Sequence, residues 1–228
     1  MHDNLMIYDR LFPFISNLTE DEKQLVKNSI DTKTFHKGEI VNRSDDGCAG
    51  LIAVVDGQLR TYIISEEGRE ITLFRVGSEE ICVLSVSCLL DSIIFDVVIE
   101  AIEDTTVYII PVNIIHGIEE QNAYVGLFLY KSAAEKFSEV MWTIQQLLFM
   151  RLDQRIAIFL WDEINRKEGT TLAITHEMIA HQISSSREVV TKVMKYFENE
   201  EIIKSGRGKI IVIDKQRLKK AAYPANVI

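Results

Sequence analysis

The sequence changes its period near residue 119, and this change limits the possible folds most strongly. From Phe35 to Val112 the chain consists of short runs rich in Val, Ile, Thr and Tyr, separated by glycines. Runs of this length between turn-forming residues are typical of β-strands. Many short strands at regular spacing predict an antiparallel sandwich, roll or barrel. The predicted strands lie in LIAVVDG, LRTYIIS, REITLFRVG, VVIEAI and TVYIIPV.

Residues 119–150 follow a helical period instead. The segment has no proline and only one glycine, Gly126. A heptad pattern sustained over two to three repeats predicts a helix that pairs with another helix. The alternative is a helix that lies on its own sheet, but the apolar width exceeds what one packed face needs, which favours a dimer helix. Two series at a spacing of seven carry the pattern, with Met141 and Leu148 between them: Ala133, Val140 and Leu147, and Phe137, Ile144 and Arg151.

Three helical patterns and a hairpin with glycines on both sides of Arg207 occupy residues 151–228. Thr175 precedes the second helix and is expected to be its N-cap. Ser185, with Glu188 three residues later, predicts a capping box at the start of the third helix. The four segments are RIAIFLWDEINRK, THEMIAHQI, SREVVTKVMKYFENE and GRGKIIVID.

The third of these helices is expected to have two distinct faces. Val189, Val190, Val193, Met194 and Phe197 are predicted to be buried, which leaves Arg187, Glu188, Thr191, Lys192 and Lys195 outside. A helix-turn-helix protein inserts the N-terminal residues of its second helix into the major groove. There Arg can pair bidentately with guanine, and Glu can accept a hydrogen bond from cytosine. The alternative is an ordinary solvated face, but the basic C-terminal third and the GRGK hairpin, a plausible phosphate-touching wing, favour DNA binding.

The charges are divided unevenly along the chain. The net charge is −9, yet residues 1–150 hold 11 basic and 24 acidic side chains, whereas residues 151–228 hold 14 and 10, which gives −13 and +4. Only the basic part is suited to a polyanion. A chain of 228 residues can form two modest domains. Neither a signal peptide nor an apolar run of about 18 residues is present, so we expect a cytoplasmic protein without a membrane partner.

The order and spacing of these segments resemble the Crp/Fnr family of bacterial transcription regulators. The resemblance covers nearly the whole chain and is carried by FHKGEIV, LIAVVDGQLRTYIISEEGREITLFRVG and ITHEMIAHQISSSREVVTKVMKYFENEEII. It implies an α+β fold with an effector-sensing antiparallel β-roll (double-stranded β-helix) at 1–118, a dimerisation helix at 119–150 and a winged helix-turn-helix at 151–228. It also implies a homodimer on palindromic double-stranded DNA, a small-molecule effector, and RNA polymerase as a further partner.

The resemblance also assigns candidate contacts. Arg187, Glu188 and Lys192 fall on base-reading positions, and Ser186 falls on a phosphate-contacting one. Lys192 stands where the cyclic-AMP receptor branch usually has Arg, and a lysine lacks the planar fork, so base choice there should be looser. Ser184 occupies the usual turn glycine. The expected DNA contacts are Thr175, His176, Ser186, Arg187, Glu188, Thr191, Lys192, Arg207 and Lys209; the expected dimer contacts are Phe137, Val140, Met141, Ile144, Leu147 and Leu148.

The sensing end departs from the family members that bind cyclic AMP. Those members share a phosphate cassette with a Gly-Glu pair and an Arg beside a small hydroxyl residue. Here Phe95 and Asp96 stand in place of the Arg and its neighbour, and neither suits a phosphate. Val140 and Met141 align with the polar pair that meets the adenine. We therefore expect an apolar or aromatic effector. Its expected contacts are Glu80, Ile81, Cys82, Leu84, Phe95, Val140 and Met141.

Two further interpretations stay open. Cys82 and Cys88 lie six residues apart, which fits a thiol or metal sensor or two small core residues; metal sites favour closer spacing and histidine partners, so we favour the core. The sequence has no nucleophile elbow or phosphate-binding glycine loop, and we expect no catalytic residue, metal or cofactor. The alternatives to a ligand-controlled regulator are a stand-alone small-molecule-binding or enzymatic β-domain, whose C-terminal helices serve protein contacts, and a thiol-based redox-sensing variant.

Overall fold

The structure is a computed structural model, and it describes most of the chain. Several residues singled out above lie outside the described ranges, namely Leu84, Cys88, Phe95 and Asp96. The described residues are Tyr8, 10–43, 50–82 and 97–224. They divide into two compact units, which are residues 1–67 with 73–141, and residues 68–72 with 142–228.

The described chain has eight strands between residues 31 and 110. They are β1 (Asp31–Phe35), β2 (Ile40–Arg43), β3 (Leu51–Asp56), β4 (Gln58–Ile64), β5 (Glu70–Gly77), β6 (Ile81–Cys82), β7 (Val98–Ala101) and β8 (Thr105–Ile110). One four-stranded sheet has the order β1-β8-β3-β6, and the other has the order β2-β7-β4-β5. The β1–β8, β3–β8, β3–β6, β2–β7 and β4–β7 pairs are antiparallel.

Both faces of β3 are buried, which explains its nearly continuous apolar sequence. Successive side chains of a strand point to opposite faces. Leu51 and Ala53 accordingly belong to a core beneath the helices, whereas Ile52 and Val54 belong to a core that also contains β4 and β7 side chains. The turn from β3 to β4 requires glycine. Gly57 has a φ of +94°, and a Cβ there would lie 2.6 Å from the carbonyl oxygen of Asp104.

The five strand segments predicted from sequence are present as β3, β4, β5, β7 and β8. The sequence reading missed β1, whose residues Asp31–Phe35 are mostly exposed and carry too few apolar side chains to mark a strand. This strand forms because it pairs in register with β8, from Asp31 opposite Ile109 to Phe35 opposite Thr105.

Helices precede and follow these eight strands in the chain. A 3₁₀-helix at Pro13–Asn17 precedes α1 (Glu20–Ser29). Thr19 caps α1 in a capping box, because its side chain accepts from Glu22 N–H while the Glu22 carboxylate accepts from Thr19 N–H at 2.7 Å. After β8 follow α2 (Val112–Glu119) and the long helix α3 (Ala123–Phe149).

The helical segment predicted from residue 119 begins instead at Ala123. The side-chain oxygen of Asn122 accepts from Tyr124 N–H at 3.1 Å and separates α2 from α3. Val125 and Leu129 of α3 are buried in the core beneath the helices, with Ala133 packed beside them. The helix therefore has one face on its own domain, as the alternative reading required, and a second apolar face that is exposed.

After α3, the described part of the second unit contains four helices and a small sheet. The elements after α3 are α4 (Leu152–Arg166), β9 (Thr171–Leu172), α5 (His176–Gln182), α6 (Arg187–Asn199), β10 (Ile203–Gly206), β11 (Lys209–Val212) and α7 (Lys215–Ala222). The strand order is β10-β11-β9, and both pairs are antiparallel. Ile156, Ile179, Met194 and Leu218 bring α4, α5, α6 and α7 into one core. The three predicted helices and the hairpin are present, whereas β9 and α7 were not predicted.

A membrane-spanning helix would have to be both long and strongly apolar. No helix among the described residues meets these two conditions.

Candidate nucleic-acid interface

The first turn of α6 is fixed by Ser186. Its hydroxyl is the N-cap and accepts from Val189 N–H at 3.4 Å. The predicted capping box between Ser185 and Glu188 is wrong, because the helix starts one residue later than the sequence suggested and Glu188 occupies its second position. Hydrogen bonds from its own backbone N–H and from Ser186 lower the pKa of Glu188, so this carboxylate is ionised at neutral pH.

The two faces of α6 largely follow the prediction. Val190, Met194 and Phe197 are fully buried, and their spacing of four and three forms a single stripe. Arg187, Glu188, Thr191, Lys192 and Lys195 are exposed. The prediction was wrong for Val189, which is 43% exposed. Val189 lies about 100° around the helix from Val190, so the contact that buries Val190 does not cover it.

The turn between α5 and α6 is held by hydrogen bonds to its backbone atoms. Ser184 has a φ of +55°, a left-handed conformation that costs a non-glycine residue about 1 kcal/mol or more. The Ser185 N–H donates to the Ala180 carbonyl at 2.9 Å, and the Arg155 guanidinium of α4 donates to the Ile183 carbonyl. The serine in the usual glycine position therefore adopts the conformation that the turn needs.

The first turn of α5 contacts the exposed face of α6 at two points. Thr175 caps α5 as predicted and accepts from Met178 N–H at 3.2 Å. His176 Nδ1 lies 3.1 Å from the Thr191 hydroxyl. The Glu177 carboxylate forms an ion pair with Arg187, in which Oε2 lies 3.7 Å from Nε. Sequence reasoning did not single out Glu177.

The hairpin β10–β11 carries the remaining basic candidates. Gly206 pairs with Lys209, and Gly208 between them has a φ of +70°, so the turn residues match the tight loop. Arg207 and Lys209 are exposed at this end. The hairpin is attached to α6, because Glu198 accepts from Ser205 N–H at 2.8 Å. Hydrogen bonding by Ser205 lowers the pKa of Glu198 and keeps this anchor ionised.

Those candidate effector residues that the structure describes lie just before β6, in β6 and on α3. Glu80 accepts from Gly77 N–H at 3.1 Å and lies 3.6 Å from Lys136 Nζ. Lys136, which sequence reasoning missed, is only 12% exposed; its Nζ is 2.7 Å from Glu139 and 5.3 Å from the ring centre of Phe74. Lys136 is partly buried and lies three residues after Ala133, but nothing in the sequence distinguishes it from an exposed lysine on the same helix.

Cys82 and Val140 point into the core that contains β4 and β7 side chains. Cys82 is fully buried, and its sulfur lies 4.0 Å from the Thr61 hydroxyl. Val140 is partly buried against the same core, whereas its neighbour Met141 is 46% exposed. The structure thus separates the two α3 residues that the sequence assigned to both the effector and the dimer contacts. Within the described ranges no three His, Cys, Asp or Glu side chains converge as a metal site would require.

The exposed face of α3 is apolar along several turns. Phe137 is 65% exposed, Ile144 39% and Leu148 69%. With Met141 these side chains recur at spacings of three and four, so they form one stripe. The predicted series through Ala133 and Val140 instead packs partly against the first unit's own cores.

Comparison with known proteins agrees with this architecture. Residues 32–122 match the cyclic nucleotide-binding domain model, and residues 154–221 match the Crp-like helix-turn-helix domain model. A crystal structure described as a Crp/Fnr-family transcriptional regulator from Eubacterium rectale has a TM-score of 0.87 and 42% identity, and the match covers 93% of this chain and 98% of that chain.

Two further relatives are more distant. A Crp/Fnr-family transcriptional regulator from Thermus thermophilus has a TM-score of 0.65 and 25% identity, with 84% of this chain and 98% of that chain covered. The transcriptional activator protein Anr of Pseudomonas aeruginosa is 25% identical over 190 residues, or 80% of this chain and 76% of Anr. These matches confirm the predicted fold class, with antiparallel sheets, a long helix and a C-terminal helix-turn-helix, and the chain belongs to the Crp/Fnr family of transcription regulators.

Proposed function

We propose that this regulator binds an inverted-repeat DNA operator as a homodimer, with α6 in the major groove, under control of a small-molecule effector other than cyclic AMP. One observation carries the proposal. The first turn of α6 presents Arg187 and Glu188 to solvent, while Val190, Met194 and Phe197 anchor the helix behind them. This leaves a guanidinium and a carboxylate at the end of the helix that a helix-turn-helix protein inserts into the groove.

The charge of the second unit's sequence supports a polyanionic partner. Residues 151–228 have an excess of four basic over acidic side chains, against an excess of thirteen acidic ones in residues 1–150. Lys192, Lys195, Arg207 and Lys209 are exposed, so they can neutralise phosphates and release counterions. Base reading would come from Arg187, Glu188 and Lys192. The residues that would contact or approach the DNA backbone are Thr175, His176, Ser186, Thr191, Arg207 and Lys209.

The exposed apolar stripe of α3 supports a homodimer. Phe137, Met141, Ile144 and Leu148 follow the heptad rule that pairs helices. A two-fold dimer would present two copies of α6 to half-sites about one helical turn apart, which corresponds to an inverted repeat. Residues 119–150 would then serve as the dimerisation segment between a sensing part at 1–118 and a DNA-binding part at 151–228. RNA polymerase is a further expected partner of the DNA-bound dimer.

The residues near the expected effector site favour a ligand other than a cyclic nucleotide. Glu80, which with Glu79 is one of two candidates for the glutamate of the phosphate cassette, lies beside Lys136 and Gly77 N–H. Val140 offers only hydrocarbon to the core of the sheet domain. The resemblance to the members that bind cyclic AMP assigns Phe95 and Asp96 to the positions where a phosphate would need a cation and a hydroxyl. An apolar or aromatic molecule fits these side chains better.

The test of the proposed DNA-binding mode is selection of duplexes from a randomised library, followed by titration of the selected duplex at several salt concentrations. We expect an inverted repeat with half-site centres about 10 base pairs apart. We also expect the logarithm of the affinity to fall linearly with the logarithm of the salt concentration, because phosphate contacts release counterions. Absence of salt-dependent DNA binding would favour a stand-alone sensing domain whose C-terminal helices contact protein. Salt-dependent binding without selection of a repeated half-site would instead contradict the inverted-repeat operator.

Millimolar cyclic AMP is expected to leave the melting temperature and the affinity for the selected duplex unchanged. A ligand that binds only the folded state would stabilise it by about 2.7 kcal/mol at 100 times its Kd, which thermal unfolding easily detects. The measurement is a melting curve with and without the nucleotide, paired with a duplex titration. A saturable shift that disappears in Glu80→Ala would refute the proposal and identify Glu80 as part of a nucleotide site.

A further inference from the structure

The first turn of α5 carries an acidic side chain at a surface that is expected to meet DNA phosphates. Glu177 is 71% exposed and Arg187 is 67% exposed, so the core does not require this pair. A carboxylate at such a place repels the phosphate backbone, so its presence there calls for a compensating role. Its contact with Arg187, one of the candidate base-reading residues, indicates that role.

The geometry of that contact keeps the reading end of the arginine free. Oε2 of Glu177 lies 3.7 Å from Nε of Arg187, the nitrogen nearest the aliphatic stem. A guanidinium has five N–H donors in a fixed planar fork, and the two terminal nitrogens are sufficient for a bidentate pair with guanine O6 and N7. A carboxylate on the Nε side therefore restrains the direction of the side chain without occupying the terminal N–H groups.

A second contact also joins the first turn of α5 to the exposed face of α6. His176, the residue before Glu177, meets the Thr191 hydroxyl of α6 at 3.1 Å. The first turn of α5 thus holds two exposed side chains of α6, one turn apart, through two neighbouring residues. Arg187 would otherwise sample many rotamers, and the entropy lost on fixing it in the groove would weaken its discrimination among bases.

We propose that Glu177 is a positioning residue for base selection: it holds Arg187 through Nε so that its terminal fork faces the guanine edge. The inference rests on the proposed DNA-binding function. The exposed ion pair contributes little to the stability of the free protein. Its contribution grows when the groove excludes water, since the effective dielectric constant falls there.

The experiment compares Glu177→Gln, Arg187→Ala and the double variant on the selected duplex and on duplexes changed at each half-site position. Glu200→Gln is the matched control, because it removes the same charge at the other end of α6, about 20 Å away. For Glu177→Gln we expect the preference for the correct base to fall about fivefold at the position read by Arg187 and at no other. In the Arg187→Ala background the Glu177→Gln change should have no further effect on base preference, and melting temperatures should stay unchanged.

Four other results would overturn the inference. Equal tightening of Glu177→Gln on all duplexes, repeated in the Arg187→Ala background, would mean that Glu177 acts only as a negative charge. Equal weakening on all duplexes would mean a general structural role. A protein that shows no base preference at any position would remove the proposed function itself, whereas a selective wild type with an unchanged Glu177→Gln variant would refute only the role of Glu177.

Discussion

Replacing Ile144 by Glu is expected to convert the protein into a monomer that no longer holds a two-half-site operator. Ile144 lies in the middle of the exposed apolar stripe of α3, between Met141 and Leu148. In a symmetric pair of α3 helices the same residue comes from both partners, so two carboxylates would be buried near each other. An unpaired buried charge costs about 3–5 kcal/mol. Sedimentation velocity gives the mass of the variant, and a titration with the selected duplex gives its affinity.

Gln146→Glu is the matched control for this prediction. It adds the same carboxyl to the same helix, but two residues along the chain is about 200° around it, so the new charge faces away from the stripe. This variant should remain a dimer and should bind the operator like the wild type. If Ile144→Glu also sediments as a dimer, the interface lies elsewhere and the stripe of α3 needs another partner.

The sequence predicted those elements whose own residues carry the signal. The apolar runs of β3 and β8 and the turn at Gly57 are visible locally, because both strand faces are buried and the turn demands glycine. By contrast, β1 is mostly exposed and exists only through its pairing with β8, some 70 residues away. Such a strand has no pattern of its own to detect.

The start of α6 shows a similar limit at the level of single residues. Ser185 and Ser186 are both adequate N-caps, and Glu188 suits a capping box with the first of them. The left-handed residue Ser184 and the Ser185 contact to Ala180 decide the matter, because they set where the turn ends. The same one-residue difference explains why Glu188 bonds to Ser186 rather than to Ser185.

Contacts between side chains on different elements could not be predicted at all. Arg187 stood out because of its position in the motif, but its partner Glu177 is ten residues earlier on another helix. In the sequence Lys136 is an ordinary polar residue of a long helix, whereas in the structure it lies beside Glu80 and Phe74. These distances depend on the packing of whole elements, which the periodicity of one segment does not encode.

Arg187→Ala is expected to weaken binding to the selected operator by about 1–3 kcal/mol per half-site and to relax base choice at one position of each half-site. The physical reason is the loss of a bidentate pair between the exposed guanidinium and a guanine edge. A uniform component is also expected, because the change removes one positive charge and leaves the Glu177 carboxylate without this counterion near the phosphates. The base-specific part is therefore measured as the ratio of affinities for the correct and the altered half-site, rather than as the loss on the operator alone.

Lys209→Ala separates the two components. Lys209 is exposed on the hairpin, where a phosphate contact is expected, so its loss should weaken binding to all duplexes alike and lower the salt slope by about one for each protomer of the dimer. Fluorescence anisotropy over a range of salt concentrations, with the operator and one altered duplex for each half-site position, gives both quantities for both variants. Arg187→Ala should change the ratio at a single position, and Lys209→Ala should change none. If Arg187→Ala instead weakened every duplex equally, Arg187 would be a phosphate contact, and base reading at this end of α6 would have to come from Glu188 and Lys192.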